Sequence, residues 1–186
     1  MAATKHAQLI KQDSKDYLTT ALLQLLETKD LKDISVSQVV KRAGVSRMAF
    51  YRNFDTLDDL LTSYFEPLIE ARFDEVKHKT SEEDKLNKIG KFFSDYADTL
   101  KLSTERGFEY IIKDLFDKNM LDFYDTISLP DALSSIERIY WTKFMSAGVY
   151  AIWSEWLLGG QKETLAEIHR LIGGFQDYTM KFLISK

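Results

Sequence analysis

The chain has no cysteine, two prolines, eight glycines and three histidines among its 186 residues. Without thiols there can be no disulfide, iron–sulfur cluster, thiolate zinc site or cysteine nucleophile. His6, His78 and His169 stand far apart, with no partner at metal-ligand spacing. The expectation is therefore surface histidines, no metal and no cofactor. No phosphate-cradling glycine loop, nucleophile elbow or metal-hydrolase motif occurs either, so the chain is not expected to be an enzyme. Long hydrophobic runs are also missing. The most apolar stretch, Phe144 to Leu158, is interrupted by Glu155 and falls short of the about 20 residues a membrane span needs. The opening MAATKHAQLIKQDSKD has no apolar segment of the signal-peptide kind, which points to a cytoplasmic protein without a membrane partner.

Scarcity of proline and glycine favours long helices, and the apolar spacing agrees with an all-α chain. Tyr17, Leu18, Ala21, Leu22, Leu25 and Leu26 recur at helical intervals and predict a first helix beginning near Asp13 or earlier. After the charged loop Thr28 to Ile34, the run Ser35-Val36-Ser37-Gln38 is a capping box that opens a second helix with Val36, Val39 and Val40 inward. Ala43-Gly44-Val45-Ser46 then supplies a glycine for a tight turn and a serine to cap a third helix, Arg47 to Asn53. Two short helices across such a turn are a helix-turn-helix, pinned by Val39, Val45 and Phe50. Thr56, with Asp59 three residues on, opens a fourth helix carrying Leu57, Leu60, Leu61, Tyr64 and Phe65, which Pro67 is expected to kink. Charge is uneven as well. The net charge is −4, yet from Ser35 to Phe54 there are Lys41, Arg42, Arg47 and Arg52 and no acidic residue. That is the pattern of a small DNA-contacting surface on a protein whose remaining acidity limits non-specific binding to phosphate.

The segment from Ser35 to Leu61 resembles the TetR-type signature TVxDIxxxAGVSxxxxYxxFxxKxxLL, through Ala43-Gly44-Val45-Ser46, Tyr51, Phe54, Leu60 and Leu61. The resemblance covers about 55 residues once the first helix is included, and implies a DNA-binding regulator, most often a repressor, that acts as a homodimer. By it, the helix from Arg47 enters the major groove of a palindromic operator, with its twin one helical turn away. Arg47 would contact guanine, and Met48 or Ala49 a thymine methyl. Tyr51 and Arg52, with Ser35, Ser46 and Thr56 beside helix starts, would hold phosphates. One departure stands out: Leu57 occupies the place of the family's usual lysine, removing an expected phosphate contact. Lys5, Lys11 or Lys15 could compensate.

The division expected is 1–66 for the DNA-binding domain and 67–186 for a helical regulatory and dimerisation domain. The pattern predicts a helix through Leu86, Ile89, Phe92, Phe93, Tyr96 and Leu100, another through Phe108, Ile111, Ile112, Leu115 and Phe116, and an ambiguous stretch from Asp117 to Leu129. A long helix is expected from Pro130 to Leu158, stopped by Gly159-Gly160, and a last one from about Glu163 to Leu183. The former is apolar on several sides and so needs burial on several sides. These two helices, near 131–158 and 163–183, resemble in placement the family's dimer interface. Gly173 and Gly174 should each cost the last helix about 1 kcal/mol relative to alanine, compensated by a close approach or a bend. Candidate walls for a small-molecule inducer are Phe93, Tyr96, Phe108, Ile112, Phe116, Tyr140, Trp141 and Phe144, although aromatic stripes also build plain core. A second functional class stays open: a helical small-molecule-binding or protein-interaction co-regulator whose helix-turn-helix no longer binds DNA directly, with Leu57 as its motive.

Overall fold

A computed structural model describes residues 2–77, 82–126 and 132–185, with the side chains of 13–75, 88–125 and 132–185. Among the described residues the chain is helical throughout: α1 (Ala2–Leu26), a 3-10 turn (Leu31–Asp33), α2 (Val36–Ala43), α3 (Arg47–Tyr51), α4 (Leu57–Lys77), α5 (Glu82–Asp95), α6 (Ala97–Arg106), α7 (Glu109–Thr126), α8 (Ser135–Leu158) and α9 (Leu165–Ile184). None of the described helices is long and apolar enough to cross a membrane. The chain gathers into two compact units, one of Met1–Pro67 with Leu102–Ile112, the other of Leu68–Lys101 with Lys113–Lys186.

In the first unit α1 buries Leu18, Leu22 and Leu26 completely, and its neighbours contribute Val39, Phe50, Leu60 and Leu61, all at 0 % exposure. Tyr17, on the margin of the same stripe, remains largely exposed. The segment 102–112 fastens onto this core. Phe108 stacks on Phe65 with ring centroids 6.1 Å apart, and the Arg106 guanidinium donates to the Glu27 carbonyl (3.0 Å) while pairing with Asp30 (3.7 Å). Glu27 follows the last turn of α1, where helix carbonyls lose their intrahelical donors, so Arg106 acts as a C-terminal cap supplied from far along the chain. Helix α4 runs on through Pro67, on its exposed side, without interruption.

The second unit is built around aromatic rings. Phe116 meets Phe73, Phe93 and Tyr150 at 5.3, 5.3 and 5.4 Å, and Phe93 stacks on Trp153 at 5.5 Å. Gly90 admits this packing, since a Cβ there would lie 2.7 Å from the Trp153 ring and 2.9 Å from His169 Nε2. A polar network crosses the surface of the unit: Arg72 pairs with Glu75 (3.1 Å) and Asp95 (3.6 Å), and Lys88 with Glu75 (3.2 Å). The Lys88 hydrogen bond holds the Glu75 carboxyl below the usual carboxylate range.

Two expectations from the pattern are corrected here. The helix through Leu86 to Leu100 is two helices, broken by a turn at Tyr96, although the Tyr96 N–H still donates to Phe92 (3.0 Å) and the Leu100 N–H to Tyr96 (2.9 Å). No glycine or proline marks that break, so apolar spacing alone ran straight through it. The long helix opens at Ser134, not Pro130, because Ser134 and Glu137 form a reciprocal cap, with Glu137 accepting from the Ser134 N–H at 3.0 Å. Pro130 itself lies outside the described residues. Of the stretch left ambiguous, residues through Thr126 continue α7. Gly159 caps the end of α8, and Gly160 follows at φ +88°. The last helix begins one residue past Thr164, whose hydroxyl accepts from the Glu167 N–H (3.3 Å).

Candidate nucleic-acid interface

Five residues cannot sustain a helix alone, because nucleation fixes several dihedrals for one hydrogen bond. Helix α3 persists because both ends and one side are held. At its start the Ser46 hydroxyl accepts from the Ala49 N–H (3.1 Å). At its end the Asn53 amide donates to the Ala49 carbonyl (2.7 Å). Between them Phe50 is fully buried, worth about 2–3 kcal/mol relative to exposure, and meets Phe54 at 5.9 Å. The turn before the helix depends on Gly44 at φ +68°, a left-handed conformation in which its N–H closes back on Val40. Helix α2 starts on the expected capping box, with the Ser35 N–H donating to Gln38 at 2.7 Å.

What this scaffold turns outward is Arg47, Met48, Tyr51 and Arg52. Met48 is 71 % exposed and Tyr51 47 %, while Ala49 is half-buried. The Arg47 guanidinium lies against the Tyr51 side chain, with Nη2 3.5 Å from the hydroxyl and the group 5.9 Å from the ring centre. Lys41 and Arg42 are exposed at the end of α2, where Arg42 Nε donates to Gln24 (2.8 Å). Ser46 and Thr56 each use an oxygen lone pair to cap a helix, which leaves the hydroxyl hydrogen to donate outward; the Ser35 hydroxyl donates to Gln38 (3.1 Å). Near Leu57 the charge is acidic: Asp55, Asp58 and Asp59 cluster in sequence, Asp59 closing the Thr56 cap (2.9 Å) and Asp58 accepting from Tyr110. Lys15 sits over the Phe54 ring at 5.4 Å; the side chains of Lys5 and Lys11 lie outside the described set. Sequence reasoning missed the Arg47–Tyr51 pairing and the Asn53 lock, for which four-residue spacing on a helix was the available signal.

The residues named as inducer walls do not all come together. Phe93 and Phe116 are in ring contact within the second unit's core, and Tyr96 lies 5.1 Å from Phe92. Phe108 and Ile112 belong to the first unit, both buried. Tyr140, Trp141 and Phe144 line an open groove of about 470 Å³ together with Tyr178 and Phe182. Trp141 is buried there, its indole donating to Thr179 (2.9 Å), whereas Tyr140 and Phe144 are 70 % and 60 % exposed. Helix α8 thus has two apolar faces, one in the core through Met145, Val149, Tyr150 and Trp153, the other open.

A capped, rigid helix-turn-helix with a basic outer surface defines a DNA-binding protein of the helix-turn-helix class. Residues 18–64 match the family model described as bacterial regulatory proteins, tetR family. No curated protein matches the chain. Three solved structures share the fold beyond that domain. A TetR transcriptional regulator from Streptococcus agalactiae 2603V superposes with a TM-score of 0.68 at 22 % identity, over 95 % of this chain and 99 % of that one. The fatty acid degradation regulator FadR from Bacillus halodurans gives 0.55 at 18 %, over 87 % and 95 %. The dihydroxyacetone kinase operon activator DhaS gives 0.53 at 17 %, over 91 % and 97 %. At these identities the likeness establishes the fold alone.

Proposed function

We propose that the chain is an operator-binding repressor, acting in the cytoplasm as a homodimer on a palindromic site and released by a small-molecule inducer. The observation that carries the reading is the outer face of α3: Arg47, Met48, Tyr51 and Arg52 exposed on a helix pinned by buried Phe50, in a stretch from Ser35 to Phe54 without an acidic residue. A DNA reader needs both halves of that arrangement, a rigid base and donors for base edges and phosphates. Residues 1–66 take the reading role and 67–186 the regulatory one.

Dimerisation is supported by the second face of α8 and by α9, where Ile136, Tyr140, Phe144, Phe175, Tyr178 and Phe182 are all exposed. Covering such a face with a second copy removes apolar surface that water disfavours, and a two-fold axis matches a palindrome. An inducer site is supported by Trp153, whose indole N–H is fully buried and has no acceptor among the described residues. Leaving a buried donor unmade costs about 1–3 kcal/mol, which a ligand acceptor entering beside Phe93 and Phe116 would relieve. The repressor sign rests on the family resemblance.

One observation favours a second reading, a co-regulator that no longer binds DNA itself: Leu57 and the carboxylates of Asp55, Asp58 and Asp59 stand where a phosphate contact is expected. The two readings part in one experiment. Duplexes selected by the purified protein from a random pool should share a palindrome, and affinity for it should fall steeply with salt, by a slope of about 0.9 per phosphate contact. Selection of no common sequence, or a protein that sediments as a monomer, would overturn the operator reading.

A further inference from the structure

We infer that Tyr51 is a positioning residue for Arg47, holding its guanidinium where it reads a base while the tyrosine hydroxyl hydrogen reaches a phosphate. The inference rests on the operator-binding reading and adds to it a specificity role for a side chain that would otherwise serve affinity alone.

An exposed arginine has many rotamers, and a long side chain that must be ordered at the moment of binding discriminates poorly between bases. Arg47 is not left in that condition. Tyr51 lies one helical turn further on, on the same face, with Nη2 of Arg47 3.5 Å from its hydroxyl and the guanidinium 5.9 Å from its ring centre. The tyrosine ring is itself anchored, meeting the buried Phe50 ring edge to face at 5.3 Å. Phe50 in turn is fixed in the core, and the helix carrying all three is closed by the Ser46 cap and the Asn53 lock. Rigidity therefore passes from the core through Phe50 and Tyr51 to the guanidinium.

The donors and acceptors fit this division of labour. In the contact with Arg47 the Tyr51 oxygen accepts, so its own hydrogen remains to donate to a phosphate oxygen. Arginine carries five N–H donors, and one spent on Tyr51 leaves enough for a two-pronged contact to guanine O6 and N7. One tyrosine thus ties the register set by the backbone to the base that Arg47 reads.

The test is a double-mutant cycle on the duplex selected by the wild-type protein, with R47A, Y51F and the double variant measured against every base substitution in the half-site. R47A should cut the preference for one base pair by roughly tenfold. Y51F, a change at an exposed position that leaves the ring and the fold in place, should cut the preference at that same base pair by about threefold, without changing the salt slope. In the R47A background, Y51F should leave base preference unchanged. The inference is overturned if Y51F weakens all duplexes by one factor in both backgrounds, the behaviour of a plain phosphate contact. A wild-type protein that selects no sequence would fail the operator reading itself, and the inference with it.

Discussion

Two exposed surfaces of this protein want opposite things. The outer face of α3 and the end of α2 present guanidinium, ammonium and hydroxyl groups, with Met48 and the ring of Tyr51 the large apolar groups among them. The outer face of α8 and α9 presents Ile136, Ile139, Tyr140, Phe144, Tyr178 and Phe182, each more than half exposed. Water satisfies the first surface and is poorly matched to the second. Exposure alone therefore says little about function; the chemistry of what is exposed says whether the missing partner is an anion or another apolar face.

That contrast can be broken from the apolar side first. Phe144→Asp places a charge in the groove face and should weaken self-association by at least about 30-fold, the scale of a buried interface anchor, as read by sedimentation velocity. Helicity should be unchanged, because Phe144 packs little within its own unit; a variant that stays dimeric would show that the face serves something else. Gly90→Ala is the complementary perturbation, striking the core beneath that helix while leaving both surfaces intact. With Trp153 and His169 within 3 Å of the new methyl, it should lower stability by about 1–3 kcal/mol in denaturant unfolding.

The basic surface is probed more gently. Arg52→Ala should weaken every duplex alike and reduce the salt slope by about 1. Leu57→Lys should do the reverse, restoring one phosphate contact and adding about 0.9 to that slope. Should Leu57→Lys leave duplex binding untouched, the start of α4 is not part of the interface.

The smallest effect expected is with pH. The backbone N–H and hydroxyl of Thr164 hold the Glu167 carboxyl below the usual carboxylate range, as Lys88 does for Glu75. Groups lowered in the folded chain contribute stability above their ordinary range and lose it as pH falls through the lowered values. Thermal midpoints should therefore fall on the acid side, and Glu167→Gln should flatten part of that fall; an unchanged acid limb would remove Glu167 from the account.

The fold of the first unit could be read almost residue by residue, because its signals are local: a reciprocal cap at Ser35, a left-handed glycine at 44, a cap at Ser46 and another at Thr56. Rigid geometry at those points fixes where each helix begins and leaves apolar spacing to choose the buried side. The second unit was less legible. Its break at Tyr96 has no glycine or proline to announce it, and Pro130 draws the expected opening of α8 upstream of the Ser134–Glu137 pair that sets it, although that pair is chemically the same cap as those of α2 and α4. The site residues divide in the same way. Arg47, Met48, Tyr51 and Arg52 were found outward on a local element, whereas the aromatic residues grouped as one wall are distributed by tertiary packing that no spacing rule encodes. Arg106, which closes the end of α1 from eighty residues away in round terms, belongs to that second kind.

Among the described helices, α2, α4, α8 and α9 open on the same short exchange between a hydroxyl side chain and the acid or amide three positions later. Each exchange is settled within four residues, so it defines a starting point that the preceding loop cannot move. Lengthening or shortening the connectors ahead of Ser35, Thr56, Ser134 or Thr164 should thus leave every downstream side chain on its own face, and such segments are where insertions and deletions can accumulate without scrambling what the helices present.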